Sequence, residues 1–132
     1  MTDKLERVRE FASHAPLAAW LGFEALAGDP IAYKLTFNET HIGNPAIRAL
    51  HGGVIAAFLE LAMQSDLYAR VGKRVVTANI AVDYLASSRP EDMTGRVKVL
   101  REGRRIAFME ATGWQSGETR LVAVARACFT LG

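Results

Sequence analysis

Residues 52 to about 70 contain no proline, carry no glycine after Gly53, and are rich in the helix formers Ala, Leu and Met. The stretch is apolar on nearly every side, most continuously over Val54-Ile55-Ala56-Ala57-Phe58-Leu59. A helix without a wide polar face has to be covered almost all round by other elements. Gly72 lies where such a helix stops. The remainder of the chain must therefore supply a wrapping.

The segments that follow can do so, because the hydrophobic period changes to two. Strict alternation predicts a strand with Val76, Ala78, Ile80, Val82 and Tyr84 on one face and Thr77, Asn79, Ala81 and Asp83 on the other. Residues 96–101 and 105–114 flank a turn at Glu102-Gly103-Arg104, and a second turn at Gln115-Ser116-Gly117-Glu118 leads into a last strand over 121–131. Towards the N-terminus, Leu5, Val8, Phe11 and Ala12 mark a short amphipathic helix over 3–13, which Pro16 helps to end. Residues 17–26 are apolar with Gly22 in their middle and read as neither helix nor strand, whereas 31–37 alternates as a strand. Residues 38–50, with Gly43, Asn44 and Pro45, read as a loop long enough to carry function. The expectation is one α+β domain over 1–132, with one long helix packed in an antiparallel sheet and a short N-terminal helix.

Composition narrows the classes of function. Of 132 residues half are hydrophobic and 23% charged, which fits a globular protein and not a disordered one. A net charge of +2 gives no electrostatic ground for a nucleic-acid partner. No stretch approaches the ~20 unbroken apolar residues of a membrane span, and charges from Asp3 to Glu10 interrupt any leader core. A cytoplasmic protein with no membrane partner is expected. The single Cys128 excludes an internal disulfide and reads as a packed thiol. His14, His41 and His51 are too scattered for a zinc site, so no metal is expected. Ser65, Ser87, Ser88 and Ser116 lack the strand-to-helix turn of a serine nucleophile.

Chemistry concentrates at the start of the long helix. His51-Gly52-Gly53 leaves backbone N–H groups open to an incoming polar atom, and Glu60 stands between Leu59 and Leu61. A carboxylate so placed is costly unless it is used or paired. Ala56, Ala57, Glu60 and Gln64 form a small and polar stripe that lines a groove in one reading; in the other, Glu60 is a structural carboxylate paired with an arginine. Arg48 is a candidate for that pairing or for an acidic acyl group. His51 holds the loop by hydrogen bonds more readily than it moves protons. Arg89, Arg104 and Arg105 suit phosphate groups, which guanidinium forks grip bidentately.

His51-Gly52-Gly53 with an acid nine positions after the histidine, together with the segments 77–85, 99–107 and 117–129, resembles the hotdog-fold acyl-CoA thioesterases of the phenylacetate-pathway-like branch. The resemblance runs from about residue 21 onward. It implies a hotdog fold and hydrolysis of an acyl-CoA, with CoA as part of the substrate and no cofactor. It further implies a homodimer or homotetramer with active sites shared across the subunit interface. Glu60 is then nucleophile or general base, the Gly52 N–H polarises the thioester oxygen beside His51 and Gly53, and Thr77 assists from the partner subunit. The family's loop amide falls six residues before the histidine, where this chain has Pro45; Asn44, one residue earlier, fills the role only with a longer loop. Asn79 stands where relatives often carry Asp, and Gln64, one turn after Glu60 on the polar stripe, is a candidate substrate contact. Two other activities stay open on this scaffold: a non-catalytic acyl-CoA-binding module, and a hydroxyacyl-thioester dehydratase whose histidine loop is similar to His41-Ile42-Gly43-Asn44-Pro45.

Overall fold

The computed structural model describes residues 3–132. Its axis is helix α3, Gly52–Val71, which at 1.5 Å per residue is about 30 Å long. Phe58, Leu59, Leu61, Met63 and Leu67 on this helix are almost fully buried, and each side chain of that size stabilises the fold by about 1.5–3 kcal/mol.

The cover is a six-stranded antiparallel sheet in the order β1-β2-β6-β7-β8-β5, where β1 is Phe23–Leu26, β2 Ala32–Leu35, β5 Val75–Tyr84, β6 Met93–Glu102, β7 Ile106–Trp114 and β8 Leu121–Leu131. Helix α1, Lys4–Ser13, starts from an Asp3 cap and packs along the second half of α3, where Arg7 Nε donates to the Ala69 carbonyl at 2.8 Å. The predicted elements are all present: the long helix, its stop at Gly72, the two hairpins, the last strand and the short N-terminal helix. This is the hotdog arrangement.

Three segments differ from the sequence reading. Residues 17–26 divide into α2, Pro16–Leu21, and β1, because Gly22 takes a left-handed φ of 62° that ends the helix and turns the chain. The strand expected over 31–37 is shorter, Ala32–Leu35. Residues 38–50 are not an open loop: a 3-10 turn at Glu39–His41 leads into β3, Ile42–Asn44, which pairs with β4, Ala49–Leu50, as a small separate ribbon.

The alternation in β5 also fails as predicted. The register against β8 passes from Thr77↔Phe129 to Asn79↔Cys128, so a bulge interrupts the strand at Ala78. Before the bulge Val75 and Thr77 face inward, and after it Ile80 and Val82 do, while Val76, Ala78 and Asn79 are exposed. Thr77 thus joins the inner face instead of the outer one.

Candidate active site

The start of α3 is held by its own N-cap. His51 Nδ1 accepts the Gly53 N–H at 2.9 Å, the His51 carbonyl accepts Val54 N–H at 2.9 Å, and the His51 N–H donates to the His41 carbonyl at 2.8 Å. His51 is therefore the loop holder that the sequence suggested. A Cβ at Gly43 would stand 2.7 Å from the His51 Cα, so only glycine lets β3 approach this closely. Among the described residues nothing accepts the Gly52 N–H. Its carbonyl accepts the Tyr84 hydroxyl at 2.6 Å, and burial raises the pKa of that hydroxyl, which keeps it a donor. Tyr84 falls in the segment 77–85 that carries the resemblance, but nothing in its sequence context pointed to a hydrogen bond with the helix start.

Glu60 is half-buried and joined to two polar neighbours. Thr77 Oγ1 donates to Glu60 Oε2 at 2.6 Å, and Gln64 Nε2 donates to Thr77 Oγ1 at 3.0 Å. The amide thus occupies the hydroxyl's acceptor side and commits its proton to the carboxylate. Oε1 has no partner among the described residues, and no lysine or arginine lies within ion-pair distance of Glu60. The structural ion-pair reading of Glu60 does not hold within the chain. Thr77, which the resemblance placed in a partner subunit's site, bonds the Glu60 of its own chain.

Gly52 and Glu60 are eight residues apart on one helix, hence about 12 Å apart along its axis. A donor that stabilises an oxyanion lies about 3 Å from it, and a base or nucleophile must lie about as close to the same reacting centre. One copy of α3 therefore carries the two parts of such a site without bringing them together.

The other candidates are placed as follows. Arg48, at φ 50°, forks onto Glu39 with contacts of 2.7 and 3.1 Å and not onto Glu60; the guanidinium holds the Glu39 carboxyl below its ordinary pKa. Asn44 is exposed and its carboxamide oxygen accepts the Ala46 N–H at 3.1 Å, a local turn. Asn79 is exposed at the bulge opposite Cys128. Arg89 donates to Ser116 Oγ at 2.8 Å, and its backbone is clamped by the buried Gln115, a residue sequence reasoning passed over. Arg104 lies on the β6–β7 turn beside Arg101 and Arg105, its carbonyl 3.4 Å from Lys73 Nζ. His41 is fully buried: Nδ1 accepts Asn38 N–H at 3.2 Å and Nε2 lies 2.9 Å from the Trp20 carbonyl. With both ring nitrogens bonded to backbone, it is not free to serve as the histidine of a dehydratase.

A groove of about 320 Å³ adjoins the helix start, formed by Leu17 and Trp20 of α2, Thr40, Ile42, His51, Gly53, Val54 and Ala57. It was not foreseen, because residues 17–26 had no assigned structure. Among the described residues no three His, Cys, Asp or Glu side chains gather as a metal site, and no helix is long and apolar enough to cross a membrane.

A central helix wrapped by an antiparallel sheet, with an open N–H at its first turn and a carboxylate two turns on, defines a class that comparison with known proteins identifies. The family model of the thioesterase superfamily matches residues 48–122. The medium/long-chain acyl-CoA thioesterase YigI of Salmonella typhimurium is 30% identical over 115 residues, 74% of each chain. A crystal structure of a thioesterase-superfamily protein superposes with a TM-score of 0.91 at 29% identity, covering 99% of this chain and 100% of that one. The PaaI protein from the phenylacetic acid degradation operon of Escherichia coli shares the fold, with a TM-score of 0.85 at 14% identity over 98% of this chain and 93% of its own. The chain belongs to the thioesterase superfamily and is thereby a thioester hydrolase.

Proposed function

We propose that the protein hydrolyses acyl-CoA thioesters to the free acid and CoA. The observation that carries this is that one helix bears both Glu60, held by Thr77 and Gln64 with one oxygen free, and the unclaimed Gly52 N–H. The name of the Salmonella relative, an acyl-CoA thioesterase, supports the same substrate class. In the reaction Glu60 takes a proton from water as the water adds to the thioester carbonyl carbon. Alternatively Oε1 adds directly, and water then hydrolyses the mixed anhydride. Negative charge builds on the carbonyl oxygen facing the Gly52 N–H, where one such donor contributes ~3–4 kcal/mol. The C–S bond breaks and the CoA thiolate takes up the proton.

The 12 Å separation supports a shared site in a homodimer, or in a tetramer of two such dimers, with Gly52 of one subunit facing Glu60 of the partner subunit across antiparallel helices. Strand β5 is ten residues long, lies at the sheet edge and has one unpaired side, which supports it as the joining strand. Arg89 and Arg104 are the cations we assign to the CoA phosphates.

Thiol release from short, medium, long and aromatic acyl-CoAs, with wild type beside Glu60→Gln, tests the reading. Saturable turnover that collapses in the variant supports it; turnover indifferent to Glu60 overturns the mechanism. Tight acyl-CoA binding without turnover would instead favour the binding module, a reading that the locally bonded Asn44 amide keeps in play.

A further inference from the structure

We propose that the groove between α2 and the first turns of α3 holds the acyl chain, a flexible aliphatic chain, and that Trp20 is its apolar wall; this rests on the thioesterase reading above. The groove includes His51 and Gly53, the residues on either side of Gly52, so it adjoins the helix turn that carries the N–H assigned to the thioester oxygen. With the carbonyl at that N–H, the groove is the adjoining apolar surface open to one arm of the thioester. The pantetheine arm carries several amides that need both donors and acceptors, and the lining offers few: Leu17, Ile42, Val54 and Ala57 have none in their side chains, and Trp20 has a single N–H donor. The acyl arm needs none.

Leu17 and Trp20 are 44% and 47% exposed, apolar surface left open beside the site. The indole is nevertheless fixed: its ring meets the His41 ring edge-on with centroids 4.7 Å apart, and the Trp20 carbonyl is hydrogen-bonded to that imidazole. It is thus a preformed wall. The volume of about 320 Å³ is roughly ten times the ~30 Å³ that a water molecule fills in the liquid, and a methylene group is of similar size. A chain of about eight carbons fits along it. Leu17, Trp20 and Ile42 lie outside the residues 48–122 that the family model matches.

The test measures dissociation constants of acetyl-, butanoyl-, hexanoyl- and octanoyl-CoA in the Glu60→Gln protein, and kcat/KM for the same series in the active protein. Affinity and kcat/KM should rise about fourfold per methylene, the gain expected for burying one. Trp20→Ala should weaken octanoyl-CoA tenfold or more while acetyl-CoA stays within twofold. Ala57→Leu, a change compatible with helix, fills the groove and should do the same. Equal losses at every chain length, or unchanged octanoyl-CoA in both variants, would overturn the proposal. If the active protein hydrolyses nothing while binding keeps its chain-length dependence, the hydrolase reading fails and the groove stands. If it hydrolyses all lengths alike, the groove fails alone.

Discussion

Glu60 and Asp66 occupy the same helix six residues apart, yet the chain treats the two carboxylates in opposite ways. Asp66 is only 4% exposed; its Oδ2 accepts the Tyr33 hydroxyl at 2.7 Å and its Oδ1 meets Lys4 Nζ at 3.0 Å. Both oxygens are engaged, and the contact ties α1 and β2 to the second half of α3. Glu60 has one hydrogen-bonded oxygen, no cation and an opening to the surface. A carboxylate with both oxygens answered by the fold is a structural part. One left half-answered has capacity for substrate, and the difference lies in the neighbours each element brings and not in the residue type.

The comparison can be broken at either acid. Glu60→Gln is expected to lower kcat about a thousandfold with the melting temperature nearly unchanged, measured by thiol release beside thermal unfolding. Asp66→Ala should do the reverse. It leaves the Tyr33 hydroxyl buried without an acceptor and Lys4 without its pair, a loss of about 3 kcal/mol in denaturant unfolding, with kcat per folded molecule retained. Thr77→Val keeps the branched shape but removes the donor to Glu60, and a kcat about tenfold lower with unchanged stability is expected.

A fourth outcome concerns pH. Burial first, and then the Asp66 charge and hydrogen bond, raise the Tyr33 pKa far above its ordinary 10.0. Below pH 10 both folded and unfolded states keep the phenol proton and this group gives no pH dependence. Above it the unfolded state loses the proton first, so stability falls as pH rises, by up to about 1.4 kcal/mol per pH unit. Tyr33→Phe should flatten that part of the curve in urea titrations between pH 9 and 11.

The two acids were also unequally legible. Glu60 stood out because His51-Gly52-Gly53 precedes it at a spacing that a known family shares. Asp66 has no such companion: its partners Lys4 and Tyr33 are 62 and 33 residues away and meet it only through packing. The helix, its glycine stop and the hairpins were readable because periodicity and turn residues are local properties. The ribbon over 42–50 was not, since two- and three-residue strands leave no period to detect. Arg48 was expected to meet substrate or Glu60 and is instead taken by Glu39, nine residues back across the turn. Thr77 was put on the wrong face, because register is settled between β5 and β8 and not within β5.

That single extra residue at Ala78 makes β5 two short messages printed in different phase. Val75 and Thr77 share their side with Ile80 and Val82, odd positions with even ones, which no uninterrupted strand permits. A map of tolerated substitutions along the strand would show alternation that skips a beat at 78. Any change that ironed out the bulge by sliding the first residues one step would turn the Thr77 hydroxyl to solvent while leaving the pairing from Ile80 to Tyr84 untouched. The hydrogen bond from Thr77 to Glu60 can therefore be lost by a change of frame, with neither residue altered.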